Sequence, residues 1–560
     1  MLPSRTLALF LLSIALQQPS IPQPAAAPPR PAIPQVPPRE ERPPTRADIL
    51  RGEYDRYRAN NDLLSYHLDV RIDPTARTIA GKNTIRFKML SDDTRIQLDL
   101  YANLNVEKIV LGGTPLKYSR EVNTVWVDFP KTLKRGSTYA IDFYYSGTPK
   151  TTGRFGGFTF GADPAGRPWI YSSCEGEGAS IWWPNKDQWR DEVENMEISV
   201  SIPDDLVDVS NGRFEKKTDL GDGYTRWDWA VHYPINNYDV SVNIGKYIHF
   251  ADKYNDVTMD FYALPEDEDK AKTTFAQAKG MLEAYTHYFG EYPFKEDGYK
   301  LVQVPYSGME HQSAVTYGNG FHNGYGRPPY DWTGVDISTK FDFIIIHESG
   351  HEWFGNAVSA ADVSDMWIHE GWTTYLECLY VEYTYGHDDG IKYTNGYKSH
   401  VQNRTPIITQ RGIHRTPPQD MYFKGALFLN TLRSIVNDDP KWWKTIHDLF
   451  QTFKYRNVMT EDVLAFMNER LGMDLTPVFD EYLRRAKLPV LELAFDDEEG
   501  TVAYRWKAEE HGFNMPIRAG RPGAYETLHP TTDWQLMKTS VARDEFEVPT
   551  DLYYIEVTKQ

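Results

Sequence analysis

Two histidines and a glutamate stand together in the segment HESGH, residues 347–351. On an α-helix His347 and His351 would lie one turn apart on the same face, where both imidazoles can bind one cation. Neutral imidazoles suit Zn²⁺, which prefers nitrogen ligands in tetrahedral sites. Glu348 follows the first histidine directly and would lie beside the cation, where its carboxylate can take a proton from water. The segment therefore predicts a zinc helix with its own general base.

A catalytic zinc site needs a third protein ligand and one open position. Glu370 follows His351 after 18 intervening residues, in the segment DMWIHEGWTTYLECLYVEY, where apolar residues recur at helical spacing. A second helix packed on the first would present Glu370 as the third ligand. Glu377 lies seven residues further on, two turns along the same face. It is either a carboxylate that orients a ligand imidazole or a solvated surface residue.

The alternative to a metal site is an ordinary buried helix that happens to contain histidines. The apolar residues FIII before HESGH and the pair WF after it indicate that this helix lies in the protein interior. Two buried histidines without a polar partner would be unfavourable there. The context therefore favours the metal site.

The elements that must position these residues fall into three regions, because 560 residues exceed what one hydrophobic core supports. Residues 48–264 contain alternating segments such as YHLDVRID and GKNTIRFKML, joined by the turn DPTART, and predict an N-terminal β-domain. Residues 265–487 begin at Pro265 with an acidic helix start and predict a mostly helical catalytic domain. Residues 488–560 return to alternation in LELAF, TVAYRW and LYYIEV and predict a small C-terminal β-domain. The fold class is multidomain α+β.

The N-terminus predicts export. One arginine precedes an apolar stretch too short to span a bilayer, which is typical of a signal peptide, predicted here over residues 1–27. The alternative is an apolar arm of the folded protein. Residues 28–47 are proline-rich and predict an extended linker. We therefore expect a periplasmic or extracellular protein, and no other stretch is long and apolar enough to predict a membrane span.

Composition narrows the classes of partner. The formal charge is −19, and no basic run offsets it, which argues against a nucleic-acid partner because phosphate binding needs clustered Lys and Arg. The chain contains two cysteines, Cys174 and Cys378, too few for a disulfide framework in an exported protein of this size. The oligomeric state is not predicted.

The zinc-binding segments match a known family. HESGHEWFGN followed by WIHEGWTTYLE resembles the zinc aminopeptidases of the aminopeptidase N type, gluzincins whose pattern is HExxH, eighteen residues and Glu. The likeness extends over roughly residues 60 to 490. It implies a β-saddle N-terminal domain, a thermolysin-like catalytic domain, a small C-terminal β-sandwich and one Zn²⁺ ion. The long helical C-terminal domain of many members is not seen in this sequence, so the resemblance is to a bacterial-type short form.

A second motif of that family lies upstream. YSGMEHQSAVTYG resembles the exopeptidase motif, whose usual form is Gly-x-Met-Glu-Asn. Gly308, Met309 and Glu310 stand in register, whereas Ser307 replaces the first glycine and His311 replaces the asparagine. The resemblance implies that residues 308–311 bind the substrate. The imidazole at the asparagine position could narrow the pocket for the N-terminal residue, which leaves the residue preference open.

Two more segments carry roles implied by the resemblance. SSCEGEGASIWWPNKD resembles the loop that offers a Gln or Glu to the substrate amine, which implies Glu175. DMYFKGALFL resembles the segment with the transition-state tyrosine, which implies Tyr422. Carboxylates suit a desolvated ammonium through charge-assisted hydrogen bonds, and a phenol donor to an oxyanion is typically worth about 3 kcal/mol. Outside the resemblance, Glu175 and Glu310 are typical of surface residues or loop salt bridges and Tyr422 of the core.

The function implied is zinc-dependent removal of N-terminal residues from peptides with a free amino terminus, with Glu348 as general base. A zinc endopeptidase would share the zinc ligands but would not need Glu175 or Glu310. Epoxide hydrolysis is a further possibility, because the family includes a leukotriene hydrolase. A non-catalytic protein on the same scaffold is disfavoured, since no ligand and no base is missing.

Overall fold

The computed structural model describes residues 43–152 and 157–560. The predicted signal peptide, residues 1–27, and most of the predicted linker, 28–47, lie outside the described residues and stay predictions. The first helix, α1, spans Arg46–Gly52, so the last two residues of the predicted linker are helical. Thr45 and Asp48 form a capping box at its start. A second short helix, α2, spans Arg56–Ala59.

The following part of the chain is built from short strands, as the alternating sequence predicts. These are β1 Asn61–Asp73, β2 Thr78–Met89, β3 Asp93–Asp99, β4 Leu104–Leu111, β5 Thr114–Pro115, β6 Lys117–Glu121, β7 Thr124–Leu133, β8 Thr138–Gly147, β9 Gly157–Ala162, β10 Pro168–Ser173, β11 Asn195–Pro203, β12 Val207–Ser210, β13 Arg213–Asp219, β14 Tyr224–Val231 and β15 Val242–Gly245. They form an eight-stranded sheet in the order β13-β14-β11-β1-β2-β8-β4-β5, a four-stranded sheet β12-β15-β10-β9 and a three-stranded sheet β3-β7-β6.

The hairpin of β1 and β2 shows why this region folds as predicted. Side chains along β1 alternate between buried and partly exposed, because one face packs on the core. The turn between the strands is held by Asp73, whose Oδ1 accepts hydrogen bonds from the backbone N–H groups of Thr75 and Ala76 at 2.8 and 2.9 Å. Such Asx turns are typical of aspartate at this position.

A five-stranded sheet crosses the domain boundary predicted between residues 264 and 265. Its strands are β16 Ile248–Tyr254, β17 Val257–Ala263, β18 Tyr299–Gln303, β19 Gly308–Met309 and β20 Val315–Tyr317. Their order is β16-β17-β18-β20-β19, and β17 pairs in parallel with β18. The boundary itself stays a prediction, but β16 and β17, the last two strands before it, belong to the same sheet as β18, β19 and β20 after it. The edge strand β19 carries Gly308 and Met309.

Apart from the strands of this sheet, residues 265–487 are mainly helical, as predicted. Its helices are α3 Glu268–Phe275, α4 Ala278–Phe289, α5 Phe343–Gly350, α6 Trp367–Tyr385, α7 His387–Gly396, α8 Asp420–Val436, α9 Asp439–Phe453, α10 Thr460–Leu471 and α11 Thr476–Arg484. Two short strands, β21 Val358–Ala360 and β22 Arg456–Val458, pair in parallel between them. Every residue of α5 is buried.

The C-terminal region contains β23 Val490–Asp496, β24 Thr501–Lys507, β25 Ile517–Arg521, β26 Ala524–Leu528, β27 Gln535–Lys538 and β28 Glu556–Lys559. They form a four-stranded sheet, β27-β24-β23-β28, and a separate hairpin of β25 and β26. The segment LYYIEV is a strand only from Glu556, because the residues before it pack on α8. Tyr554 N donates to Thr431 Oγ1 at 2.9 Å, and Ser434 Oγ donates to Leu552 O at 2.8 Å. The predicted multidomain α+β class is confirmed.

Within residues 43–152 and 157–560, no helix combines the length and apolar character that crossing a bilayer requires.

The two cysteines do not pair. Cys174 and Cys378 are both buried free thiols.

Arg58 ties α1 to the sheet region and gives a first prediction. Its side chain is fully buried, its Nη1 donates to the carbonyls of Leu50, Arg51 and Glu53, and its Nη2 donates to Asp99 Oδ2 at 2.6 Å. Because Arg58→Ala leaves the buried Asp99 carboxylate without its counter-charge, we expect it to lower the free energy of unfolding by about 3–5 kcal/mol in urea titrations.

The matched control for Arg58 is Arg46→Ala. The Arg46 side chain is 55% exposed and pairs with Glu121, whose side chain is 42% exposed, so its loss is expected to leave the unfolding midpoint nearly unchanged. Equal midpoints for the two variants would contradict the assignment of Arg58 as a buried structural tie.

Candidate active site

Helix α5 presents the two histidines predicted to bind a metal. Asp342 caps its N-terminus, accepting hydrogen bonds from the N–H groups of Ile344 and Ile345 at 3.1 and 3.4 Å. The regular helix ends at Gly350, but His351 keeps helical angles of φ −61° and ψ −20°. The one-turn spacing therefore continues through it. The Nε2 atoms of His347 and His351 lie 3.3 Å apart.

Glu370 completes a triangle with these two nitrogen atoms. We call the three atoms, Nε2 of His347, Nε2 of His351 and Oε2 of Glu370, the metal triangle. It lies in the first turn of α6, and its Oε2 is 3.6 Å from Nε2 of His347 and 3.3 Å from Nε2 of His351. Ligand atoms held about 2.0–2.1 Å from a tetrahedral Zn²⁺ are about 3.3–3.4 Å from one another. Glu370 Oε2 is buried and has no hydrogen-bond donor among the described residues. Two imidazoles and one carboxylate with this spacing fit a zinc ion.

The other nitrogen of each imidazole is held by a fixed partner. His347 Nδ1 lies 2.6 Å from Glu377 Oε1, and His351 Nδ1 lies 3.0 Å from the carbonyl of Phe354 and 3.1 Å from Thr373 Oγ1. Contacts of this kind fix the ring orientation and direct Nε2 toward the metal.

Glu377 is 1% exposed and therefore is not a solvated surface residue. Its second oxygen, Oε2, accepts a hydrogen bond from Tyr393 OH at 3.0 Å and another from Tyr397 OH. The hydroxyls of these two tyrosines are 3.0 Å apart. Both oxygens of the carboxylate are thus engaged, which leaves Glu377 little freedom to turn away from His347.

This arrangement predicts that Glu377→Ala weakens zinc binding. Loss of a carboxylate that orients a ligand imidazole typically lowers metal affinity 10- to 100-fold. We expect that change in competition with a chelator, with bound zinc quantified by mass spectrometry. Glu382→Ala, on the same helix but paired with Arg433, is the control. Equal zinc affinity in the Glu377 variant and the wild type would contradict the role.

Glu348 lies between the metal triangle and β19. Burial raises the pKa of its carboxyl to about 7. Glu370 behaves differently, because the imidazoles of His351 and His347 outweigh its burial and hold its pKa below the ordinary value. A Cβ on Gly308 would lie 2.8 Å from Glu348 Cγ, so glycine leaves the room that the Glu348 side chain occupies.

Two further carboxylates lie beside the triangle. Glu310 follows β19, is 3% exposed, and accepts a hydrogen bond from Tyr238 OH at 3.3 Å. Glu175, in the loop after β10, offers one oxygen that lies within 4.8 Å of oxygens of Glu310 and Glu370. The Glu175 Oε1 atom is buried and has no hydrogen-bond partner within the described part of the chain. Burial, followed by the neighbouring carboxylates, raises the pKa of Glu175 well above its ordinary value.

Three hydrogen bonds hold the loop that carries Glu175, one within the loop and two from other parts of the chain. Gly178 N donates to Cys174 O at 2.6 Å, and Tyr101 OH donates to Glu177 O at 2.9 Å. His414, from the helical region, lies with Nε2 3.3 Å from Gly176 O. Gly178 has φ +83°, and a side chain there would overlap Arg51 and Asp187. The loop therefore requires glycine at this position.

The remaining residues of the exopeptidase motif are buried. Met309 is 4% exposed, and His311 is fully buried. Burial lowers the pKa of His311 to about 3, so the ring is neutral, and neither of its nitrogens finds a hydrogen-bond partner among the described residues. The effect of His311 on the pocket stays a prediction.

Tyr422 lies on α8, at the metal triangle. Its ring centroid is 6.1 Å from that of His347, at an interplanar angle of 26°. Helices α6 and α8 approach closely at two glycines: a Cβ on Gly425 would lie 2.8 Å from the Cα of Gly371. This contact brings Tyr422 beside Glu370. Burial raises the pKa of Tyr422 well above its ordinary value, so the phenol keeps its proton.

The structure thus brings together most of the site residues that the sequence predicts, and it adds four that were not predicted. The residues brought together are Glu175, Gly308, Glu310, His347, Glu348, His351, Glu370, Glu377 and Tyr422. Substrate binding by Met309 and His311 stays a prediction. Thr373, Tyr393 and Tyr397 hold the imidazoles directly or through Glu377, and Tyr238 holds Glu310. Thr373 lies one turn after Glu370, so helical spacing could have indicated it. Nothing in the sequence marks the three tyrosines among the 36 of the chain.

Comparison with family models gives two matches. Residues 63–238 match the Peptidase M1 N-terminal domain, and residues 273–482 match the Peptidase family M1 domain. The second match contains the metal triangle, Glu310 and Tyr422, whereas the first contains Glu175 and Tyr238.

Among curated proteins, the chain is 23% identical over 311 residues to probable aminopeptidase 2 of Sulfurisphaera tokodaii, covering 53% of this chain and 39% of that protein. It is 24% identical over 294 residues to endoplasmic reticulum aminopeptidase 1 of Mus musculus, covering 50% of this chain and 31% of that protein. The chain thus spans well under half the length of these two relatives.

Among solved structures, the chain is similar to a mutant M1 zinc metallopeptidase from Deinococcus radiodurans, with a TM-score of 0.64 and 22% identity. The match covers 77% of this chain and 96% of that one. At this identity the likeness concerns the fold.

Proposed function

Because this chain belongs to peptidase family M1, we propose that it is a zinc-dependent aminopeptidase that removes N-terminal residues from peptides. Its metal would be one Zn²⁺ ion held by His347, His351 and Glu370. Its substrates would be peptides with a free amino terminus. Neither nucleic acid nor a membrane is needed for this reaction.

The observation that carries the proposal is the pair of carboxylates beside the metal triangle. Glu175 and Glu310 come from different parts of the chain, and an oxygen of each lies within 4.8 Å of the metal ligand Glu370. Three carboxylates this close repel one another unless a cation lies between them, and without a cation the repulsion adds to burial in raising the pKa of Glu175. A zinc ion satisfies Glu370, and the ammonium of a peptide amino terminus would satisfy the other two through charge-assisted hydrogen bonds.

This pair of carboxylates does not suit an endopeptidase. Residues before the scissile bond would have to pass through the space between Glu175 and Glu310, and a neutral amide there would leave buried carboxylates without a counter-charge. We therefore favour exopeptidase over endopeptidase activity.

The residues of the chain divide the chemistry between them. Zn²⁺, when bound, supplies a Lewis acid that polarises the scissile carbonyl and lowers the pKa of water. Glu348 would accept the proton of the attacking water on its carboxylate and deliver it to the leaving nitrogen. Tyr422, which keeps its proton, would donate a hydrogen bond to the developing oxyanion. Glu175 and Glu310 would hold the ammonium and so fix which carbonyl faces the metal.

Glu310→Gln tests the amine-binding role. The variant keeps the side-chain volume and removes the charge. A hydrogen bond to a charged group is worth about 1.5–3 kcal/mol, so kcat/KM for free aminoacyl amides is expected to fall about 10- to 150-fold. We expect the loss to appear mainly in KM, measured with a chromogenic amide.

The control for this test is Glu283→Gln, an exposed residue of α4, with unchanged kcat/KM. If the Glu310 variant hydrolysed the free amide as well as the wild type does, the amine-binding role would be wrong.

We further propose that the protein is exported to the periplasm or the extracellular space, on the strength of the apolar N-terminal segment and the proline-rich stretch after it. N-terminal sequencing of the protein from the extracytoplasmic fraction should give a start near residue 28. A chain recovered there with its original methionine would contradict the cleavable signal peptide.

A further inference from the structure

A continuous row of aromatic side chains leads from the metal triangle to the protein surface. We call it the aromatic track; its members are Phe343, Tyr325, Trp332, Phe423 and Tyr330. Phe343 is the first residue of α5, one turn before His347, and their rings are nearly parallel at 14° with centroids 5.4 Å apart. The track therefore begins at a metal ligand.

The other members follow at contact distances. The Phe343 ring is 5.1 Å from Tyr325 and 6.1 Å from Trp332. Trp332 in turn is 5.8 Å from Tyr330 and 5.9 Å from Phe423. These spacings are those of interacting aromatic pairs.

Exposure increases along the track. Phe343 is 8% exposed, Tyr325, Trp332 and Phe423 are partly exposed, and Tyr330 is 43% exposed. The track therefore presents a partly exposed aromatic surface that begins next to the metal triangle.

The loop that carries Tyr325, Tyr330 and Trp332 is braced against the zinc helix. Asp342, which caps α5, also accepts hydrogen bonds from Tyr317 OH at 2.6 Å and from Asn319 Nδ2 at 3.1 Å. Asn319 Nδ2 donates in addition to Gly324 O at 2.8 Å. The track is therefore held in place by the same residue that starts the metal-binding helix.

The track and the amine-binding carboxylates contact different corners of the metal triangle. Glu310 and Glu348 group with His351, and Glu175 and Glu310 group with Glu370. His347 belongs to neither group and instead contacts Phe343. In the proposed function, a peptide with its ammonium at the carboxylates and its first carbonyl at the metal would continue toward the corner that these carboxylates leave free, His347, where the track begins.

We propose that the aromatic track binds the residues that follow the scissile bond and that it selects peptides whose second residue is aromatic or large and apolar. This inference rests on the proposed function, because the carboxylates must hold the amino terminus for the second residue to reach Trp332. Stacking on an aromatic surface adds to apolar burial, so the expected preference is about tenfold in kcat/KM.

The test compares two dipeptide amides that share the first residue the wild type removes fastest. One carries phenylalanine and the other glycine at the second position. The wild type is expected to favour the phenylalanine substrate about tenfold in kcat/KM. Trp332→Ala should reduce this ratio to near one. Tyr330→Ala, at the exposed end, should reduce the preference for phenylalanine at the third position of tripeptides. It should fold as the wild type does, because the Tyr330 ring is 43% exposed.

Tyr383→Ala is the control, because Tyr383 is an exposed aromatic residue that contacts His287 and Tyr288 rather than the track. It should leave both the ratio and the rates unchanged. Hydrolysis of both dipeptides without a preference, or a preference that survives Trp332→Ala, would overturn the track alone. Failure to hydrolyse either dipeptide would overturn the proposed function, and the track with it.

Discussion

Glu348→Gln is expected to lower kcat for aminoacyl amides by about 10²- to 10⁴-fold while zinc content stays unchanged. General acid–base catalysis by one positioned carboxylate contributes a factor of this size. The amide keeps the shape of the side chain in the space that Gly308 leaves, but it cannot accept a proton. None of the three atoms of the metal triangle belongs to Glu348, so the metal should remain bound.

The measurement is kcat with zinc quantified in the same preparation. Glu283→Gln serves again as the control for a charge lost at the surface. A Glu348 variant with full zinc content and a kcat within threefold of the wild type would exclude Glu348 as the base. Loss of zinc along with activity would instead indicate that Glu348 helps to hold the metal.

Removal of the metal is expected to have the second large effect. A chelator should lower kcat/KM by about 10³-fold or more, because polarisation of the carbonyl by a metal ion is worth several kcal/mol. Added Zn²⁺ should restore activity and Mg²⁺ should not, since two imidazoles and one carboxylate suit zinc and not a hard oxygen-seeking cation. The melting temperature should also rise with Zn²⁺, because the ion binds only the folded arrangement.

The readouts for metal removal are activity and melting temperature over a series of free zinc concentrations. His351→Ala is the matched variant, because it removes one corner of the triangle. Its melting temperature should no longer respond to micromolar zinc. Full activity in the presence of a strong chelator, with zinc absent by mass spectrometry, would contradict a metal-dependent reaction.

The part of the site that residue spacing alone predicts is the part fixed by local geometry, whereas Glu175, Glu310 and Tyr422 are predicted only by the family resemblance. His347 and His351 share a helix face by their spacing, and Glu377 lies two turns from Glu370 on the next helix. Each of these relations depends only on 3.6 residues per turn. The structure agrees with both relations: the Nε2 atoms of His347 and His351 lie 3.3 Å apart, and Glu370 and Glu377 both contact the ring of His347.

The residues that could not be predicted act through tertiary packing. Tyr393 and Tyr397 lie on or just after α7 and reach Glu377 because that helix packs on α6. Tyr238 reaches Glu310 across 72 positions of the sequence. No periodicity or motif relates such pairs, because their proximity depends on how separate elements meet.

The fold shows the same division. The alternation in YHLDVRID predicts strand β1, whose antiparallel pairing with β2 is set by the turn at Asp73. The sequence predicts that the N-terminal domain ends at residue 264. Strand β17 ends at Ala263, yet it pairs with β18, which follows helices α3 and α4 in the chain. Parallel pairing across intervening helices leaves no local signal. The residues before Glu556 alternate like a strand, yet they pack on α8 instead.

The most direct test of the central claim is mass spectrometry of one peptide digested in two forms, with a free and with an acetylated amino terminus. Aminopeptidase activity predicts a ladder of products from the free peptide, each shorter by one N-terminal residue, and no cleavage of the acetylated peptide. Fragments cut at internal bonds of the acetylated peptide would contradict it, because Glu175 and Glu310 would then have no ammonium to bind.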